Sequence, residues 1–370
     1  MRFPGFEGTW GNYRLGEIAT FSKGKGISKS DIDENGITEC IRYGELYTYY
    51  GETIDKIKSK TNVDVDTLTL SEANDVIIPA SGETMIDIAT ASCVLKSGVA
   101  LGGDLNIIKT NNDGVFLSYY LNSRKKLEIA NLAQGISVVH LYSSQLSSLS
   151  LKLPTLEEQK RISTFLASLD KRIQTQNKII EELKLLKNTI RYRIFQQICN
   201  DGNKFVEIRN ILDYEQPNKY LVTNTEYSSD NSLTPVLTAN KAFVLGYTNE
   251  NYGIYNKKEC IIFDDFTLDT KFVNFPFKVK SSAIKILTPK PNVNLKFISE
   301  YLSFLDLSST EHKRHYISEI ELMEIALPDY TRQKQIATVL SRIDEKIKTE
   351  SGIYALLINQ KQYLLQNLFI

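Results

Sequence analysis

The residues able to do chemistry are few in this chain, and they are scattered. Cys40, Cys93, Cys199 and Cys260 stand far apart with no C-x-x-C pair, so their spacing argues against both a zinc site and a disulfide framework. With three histidines in all, a metal centre would have to be built mostly from carboxylates. Asp264-Asp265 and Asp269 are the nearest approach to one, and a lone acidic turn of this kind is usually solvated. His312 and His315 share helix-like spacing but have no third ligand, which favours surface or DNA contact over metal. Gly24-Lys25-Gly26-Ile27-Ser28 is basic and glycine-rich without the spacing of a phosphate-binding loop, and reads as a mobile surface loop first and a phosphate contact second. Asn274-Phe275-Pro276-Phe277 is faintly similar to the Asn-Pro-Pro-aromatic turn of adenine methyltransferases. No glycine-rich loop follows a strand to hold a nucleotide-like cofactor, so a strand-end turn fits it better. No catalytic residue, cofactor site or metal site is therefore expected here.

What remains are donors suited to phosphates and base edges. One set comprises Lys23, Lys25, Lys29, Arg42, Tyr43, Ser81, Thr84, Gln134, Ser137 and His140. A second comprises Lys241, Tyr247, Asn249, Tyr252, Lys257, Lys258 and Lys271, followed by His312, Lys313, Arg314 and His315. The charge balance complicates this reading. Residues 1–150 hold 14 Lys+Arg against 18 Asp+Glu and residues 201–327 hold 14 against 17, whereas residues 151–200 count 10 against 5 and residues 328–370 count 6 against 4. A stand-alone DNA binder normally carries excess basic charge, because phosphate neutralisation supplies most non-specific affinity. This chain is not expected to grip DNA alone.

The elements that position these residues show themselves through a repeat. Residues 151–195 and 325–369 align without a gap at an offset of 174, with 14 of 45 positions identical, among them Leu153/Leu327, Pro154/Pro328, Gln159/Gln333, Lys160/Lys334, Ile162/Ile336, Asp170/Asp344 and Phe195/Phe369. Each copy lacks an interior proline and is entered through one, as a helix leaving an extended segment would be. Ile162, Leu166, Leu169, Ile173, Ile180 and Leu183 in the first copy, and Ile336, Leu340, Ile343, Ile347, Leu357 and Leu364 in the second, together with Gln176, Glu350, Tyr354 and Lys361 at the places between them, follow alternating spacings of four and three, a coiled-coil seam. Gln176/Glu350 and Lys187/Lys361 interrupt it at matching places. Such polar positions either fix register or lie at a wet end of the seam, and for the lysines both readings stand. At about 1.5 Å per residue each helix extends roughly 60 Å.

The chain thus reads as globule, helix, globule, helix: residues 1–150, 151–200, 201–324 and 325–370. Short β-rich runs such as Asp75-Val76-Ile77-Ile78-Pro79 and Cys260-Ile261-Ile262-Phe263 precede a helical segment in each globule, so the fold class is α+β with an internal pseudo-two-fold repeat. The N-terminus lacks an apolar stretch or cleavage-like pattern, and no apolar run approaches the length of a membrane span, which sets a cytoplasmic expectation without a membrane partner.

In order along the chain, these motifs resemble the specificity subunit of type I restriction-modification enzymes. They are Trp10 with Leu15-Gly16-Glu17-Ile18, Ile77-Ile78-Pro79-Ala80-Ser81-Gly82-Glu83-Thr84, Leu153-Pro154-Thr155-Leu156-Glu157-Glu158-Gln159-Lys160-Arg161-Ile162, Gly246-Tyr247-Thr248 and Ile261-Ile262-Phe263-Asp264-Asp265, with the helix repeated at the end. Thr155 stands where the family's entry motif usually has a second proline, and Asp329-Tyr330-Thr331-Arg332 replaces Thr155-Leu156-Glu157-Glu158 in the second copy. The resemblance implies two target-recognition domains, each reading half of a bipartite double-stranded DNA site, and two long helices in an antiparallel coiled coil that set the gap. It further implies two methyltransferase subunits and two restriction/translocase subunits as partners, with S-adenosylmethionine, ATP and Mg belonging to them and none to this chain. The competing reading is a coiled-coil protein-interaction scaffold without sequence-specific DNA binding.

Overall fold

The computed structural model describes residues 2–135, 138–239, 242–308 and 314–369. By internal contacts the chain divides into two units, Met1–Asn177 with Gly352–Ile370, and Lys178–Ser351. Four helices organise them: α1 (Gly114–Tyr120), α2 (Leu156–Asn200), α3 (Leu295–Leu305) and α4 (Tyr330–Leu368). The boundary between units cuts α2 and α4 near mid-length, so each unit owns part of both long helices.

In the first unit a five-stranded sheet runs in the order Ala19–Lys23, Leu105–Thr110, Val76–Pro79, Ser92–Val94, Thr53–Ile54. Val76–Pro79 is buried throughout, which explains its unbroken apolar run. Beside it lies a four-stranded sheet of Ser59–Thr61, Thr38–Ile41, Ala100–Leu101 and Thr69–Leu70. The second unit has an all-antiparallel sheet ordered Leu212–Glu215, Ile284–Pro289, Cys260–Asp264, Thr270–Val273, and a three-stranded one of Val244–Thr248, Thr234–Leu237 and Lys278–Val279. This α+β organisation and its duplication follow the sequence reading.

The identical positions of the repeat have structural causes. A short antiparallel ladder leads into each long helix, Gly11–Arg14 with Ser150–Leu153 and Lys204–Glu207 with Glu324–Leu327. Immediately after it, the buried Gln159 side chain accepts the Asp113 N–H (3.0 Å) and donates to the Pro154 carbonyl (3.0 Å). Gln333 does the same with the Asn294 N–H (2.9 Å) and the Pro328 carbonyl (2.9 Å). Asp113 and Asn294 are themselves the N-caps of α1 and α3. One amide thus ties helix entry to helix cap, satisfying a part-buried cap donor and a buried carbonyl acceptor. Gln333→Met leaves both unpaired, and an expected loss of about 1–3 kcal/mol should appear as a lower urea midpoint.

At the other end of each copy sits the repeated phenylalanine. Phe369 meets Phe116 and Tyr120 edge-on (centroids 5.4 and 5.5 Å), and Phe195 packs on Phe297 and Tyr301 (5.3 and 4.9 Å). Tyr120 and Tyr301 each accept a backbone N–H from the entry strand, Lys152 and Ala326, both at 3.2 Å. The first unit's core therefore holds the start of α2 and the end of α4, and the second unit's core holds the start of α4 and the end of α2.

Within each unit the two helix segments run antiparallel. In the first, Ile162 and Leu166 share a core with Leu368 and Phe369, while Leu169 and Ile173 cluster with Leu357 and Leu364. In the second, Ile336 and Leu340 share the core with Phe195 and Ile198, Ile180 is buried, and Leu183, Ile343 and Ile347 are half-buried. The seam residues nearest each helix entry thus belong to a globule's core rather than to a free coiled coil.

The lysines that interrupt the seam are not at wet ends. Lys361 Nζ lies 2.7 Å from Asp170 Oδ1 and 3.1 Å from Glu52 Oε2. Lys187 Nζ lies 2.7 Å from Asp344 Oδ1 and 2.9 Å from Glu300 Oε1, with Lys296 bridging the same two carboxylates. Each repeat lysine pairs with the other copy's repeat aspartate. Burial alone would lower the Lys361 ammonium's pKa, but Glu52 and Asp170 outweigh it and hold it above the ordinary lysine value. Burial likewise opposes the Asp344 charge, and Lys187 and Lys296 overcome it, keeping that carboxyl below its ordinary value. Gln176 and Glu350, the other pair of interruptions, are buried too.

Candidate nucleic-acid interface

In the first unit the basic loop after Ala19–Lys23 is stitched to the sheet beneath it. The Lys25 N–H donates to Leu101 O (2.9 Å), Gly103 N–H to Gly26 O (3.0 Å) and Gly102 N–H to Ile41 O (2.9 Å). A Cβ on Gly24 would fall 1.9 Å from the Gly102 carbonyl oxygen, so this crossing requires glycine. The glycine-rich run is therefore a structural crossing, and it gathers exposed Lys23 and Lys25 near the Arg42-Tyr43 corner.

A second strip joins Lys23. Its ammonium sits 5.8 Å from the Tyr142 ring centroid, and Tyr142 stacks on His140 (6.4 Å, 23°). His140 is the ladder partner of Ser81 and exchanges both backbone hydrogen bonds with Gln134 (2.9 and 2.7 Å). Lys23, Gln134, His140 and Tyr142 thus form one exposed edge, with the Ser81 side chain largely buried beneath it. Tyr142 escaped the sequence reading, although an aromatic two residues from His140 shares its face in an extended segment.

Other expected contacts are committed elsewhere. The Thr84 hydroxyl caps Met85–Ile88, accepting the Asp87 N–H and donating to the Asp87 carboxylate. Arg42 is held by the buried Glu45, which also accepts the Ser59 hydroxyl. Tyr43 is half-buried beside Tyr47, and Lys29 stands on a separate exposed turn, Lys29–Asp31. Ser137 lies outside the described residues.

In the second unit the expected set divides. Tyr247 is half-buried in Val244–Thr248, and Asn249 and Tyr252 are exposed just after it, with the Tyr252 hydroxyl 2.9 Å from Thr223 Oγ1. Lys257, ion-paired with Glu215 (2.7 Å), and Lys258 instead line a cleft of about 850 Å³ with Asn274, Phe275, Asn294 and Tyr330. Lys271 is half-buried in Thr270–Val273, and Arg314 is exposed. His315 is not a surface residue. It is 2% exposed, its N–H bonds Asp265, and its Nδ1 lies 2.9 Å from Glu319 Oε2. Lys241, His312 and Lys313 lie outside the described residues.

Asp264 and Asp265 are buried as well, contrary to the solvated reading, whereas Asp269 is exposed. Asp264 accepts the Phe266 and Thr267 N–H groups (3.0 Å each), and Asp265 accepts those of His315 and Tyr316 and pairs with the buried Lys285 at 3.3 Å. Among the described residues no group of three His, Cys, Asp or Glu is placed to hold a metal ion, and no helix is long and apolar enough to cross a membrane.

The family model described as "Type I restriction modification DNA specificity domain" matches residues 7–185 and 197–358. The chain is 44% identical over 131 residues to the type I restriction enzyme EcoR124I/EcoR124II specificity subunit of Escherichia coli, covering 34% of this chain and 32% of that one. It is 23% identical over 286 residues to the putative type I restriction enzyme MjaX specificity subunit of Methanocaldococcus jannaschii, covering 67% and 66%. The matches therefore span 32% and 66% of those relatives' lengths. In fold it is similar to the S subunit of a type I restriction-modification system from M. genitalium (TM-score 0.71, 16% identity, 98% and 96% coverage). A further chain, from a structure on complex assembly and conformational transition of the type I restriction-modification system, aligns with TM-score 0.54 at 16% identity, covering 97% of each. Two matched domains take in most of the sequence, one in each half of the repeat, and the chain belongs to the family of type I restriction-modification DNA specificity proteins.

Proposed function

We propose that this chain is the sequence-specificity subunit of a type I restriction-modification complex and reads a bipartite double-stranded DNA target with a non-specific spacer. The observation that carries this reading is the contrast between repeated anchors and unlike edges. Gln159/Gln333, Phe369/Phe195 and Lys361/Lys187 seat the two globules on the helices through the same contacts. Their exposed polar edges, Lys23–His140–Tyr142 and Asn249–Tyr252, share no such match. A common frame carrying two different reading edges suits two different half-sites. The acidic globules need partners for the phosphate grip. Two methyltransferase subunits docked on the long helices supply it and flip and methylate an adenine in each half-site. Two restriction/translocase subunits complete the assembly. S-adenosylmethionine, ATP and Mg act in those partners, and the chain alone neither methylates nor cuts.

Exchanging residues 1–150 for the corresponding part of another specificity subunit tests the reading. Long-read mapping of methylated adenine in cells carrying the partners should show one half of the motif changed and the other kept. A motif altered in both halves or in neither would support a protein-binding scaffold instead, and methyl transfer by the purified chain alone would refute the non-catalytic role.

A further inference from the structure

After Val244–Thr248 the chain continues through Asn249-Glu250-Asn251-Tyr252-Gly253, in which the middle carboxylate is turned inward. Glu250 Oε1 accepts the Thr223 N–H (2.9 Å), the Thr223 hydroxyl (2.8 Å) and the Asn224 N–H (3.0 Å), and Oε2 lies 2.7 Å from Lys278 Nζ. Lys278 is fully buried, donates to the Tyr252 carbonyl (2.7 Å) and sits 4.5 Å from the Tyr252 ring centroid. At the far end Gly253 has φ +57°, and a Cβ there would meet Lys219 O at 2.5 Å. The loop is pinned at both ends and in its middle, while Asn249 and Asn251 on either side of Glu250 are exposed.

A buried lysine is an expensive way to hold a surface loop, since an apolar residue of similar volume is often as stabilising. What the pair adds is geometry, together with neutrality where a free carboxylate would repel phosphate. Burial alone would raise the Glu250 carboxyl, but Lys278 and the Thr223 and Asn224 donors hold it down at about 2, so the carboxylate stays charged at neutral pH. An asparagine amide offers one acceptor and two donors, the complement of adenine N7 and N6 in the major groove. Lys219, exposed beside Gly253, can reach a phosphate.

We propose that Asn249 and Asn251 read adenine edges in the half-site contacted by the second globule, with Glu250 and Lys278 as positioning residues that fix the loop. This rests on the DNA-reading role proposed above and gives it particular side chains. Neither Asn251 nor Lys278 is legible as a DNA-reading element from composition or spacing.

The test is adenine-methylation mapping in cells carrying the full chain with its partner subunits, for wild type, Asn249→Ala, Asn251→Ala, Lys278→Met and Lys278→Arg. Each asparagine variant should lower discrimination at an A·T position of one half-site by about tenfold to a hundredfold. The other half-site and the spacer should be unchanged, which also reports that the chain folds. Lys278→Met should blur the same positions and Lys278→Arg should retain them. Wild-type preference at every position in both asparagine variants overturns the proposal, as does a uniform weakening of all sites or a loss confined to G·C positions. If Lys278→Met gives no methylation at all, the exposed asparagine variants still decide. A wild-type chain that directs no methylated motif removes the reading role itself and this inference with it. A directed motif that the asparagine variants leave intact removes the inference alone.

Discussion

Replacing Lys361 with methionine should lower unfolding free energy by about 3 kcal/mol, because it strips the shared cation from two carboxylates and leaves them facing each other out of bulk water. Asp170 also accepts the Tyr119 hydroxyl, and both carboxylates that face Lys361 are 18% exposed. Trp10, the single tryptophan, is packed in the same core and supplies the probe. The urea midpoint of its fluorescence should fall in Lys361→Met and recover in part when Asp170→Asn is added, since the second change removes one stranded charge. An unchanged midpoint would show that the ion pair carries no net stability. Lys187→Met should cost less, because Lys296 and Arg191 remain as counter-charges to Glu300.

Phe369→Ala should cost about 3–5 kcal/mol, the range for deleting a fully buried aromatic. Its ring is inaccessible to solvent and abuts Phe116 and Tyr120, which lie 5.9 and 6.4 Å from Trp10. The cavity should therefore shift tryptophan emission as well as lower the midpoint. Leu185→Ala, on an exposed side chain of α2, should stay within about 0.5 kcal/mol and provides the comparison. If both variants unfold at the same urea concentration, the end of α4 is not anchored in that core. Phe195→Ala, its counterpart against Phe297 and Tyr301, should show a loss of similar size by far-ultraviolet circular dichroism.

Much of the frame is legible without coordinates. Ile162 through Leu183 and Ile336 through Leu364 declare their buried face by spacing, and all twelve seam residues are buried or half-buried. The retained Pro154/Pro328 and Gln159/Gln333 mark a shared local structure, although their spacing cannot say that the amide spans entry carbonyl and helix cap. The candidate interface is less legible. His315 reads as an exposed basic residue because it adjoins Lys313 and Arg314, yet its N–H is a partner for Asp265, and the turn that carries it enters the core. Asp265 reads as part of a solvated turn for the same reason, since a local pattern does not display Lys285 or the N–H groups of residues some fifty positions away.

By itself the sequence determined the duplication, the two long helices and the α+β globules, all of which are written in spacing along the chain and in the comparison of one stretch with another. Only the tertiary structure decided which polar residues are exposed and which are buried supports. Lys361 meets Asp170 across 191 positions, Lys278 meets the loop at Tyr252 across 26, and Lys23 meets Tyr142 across an exposed edge. Charge pairing and burial depend on distance in space. A lysine on a helical seam or before a strand end keeps the same local signature whether it faces water, a carboxylate or DNA.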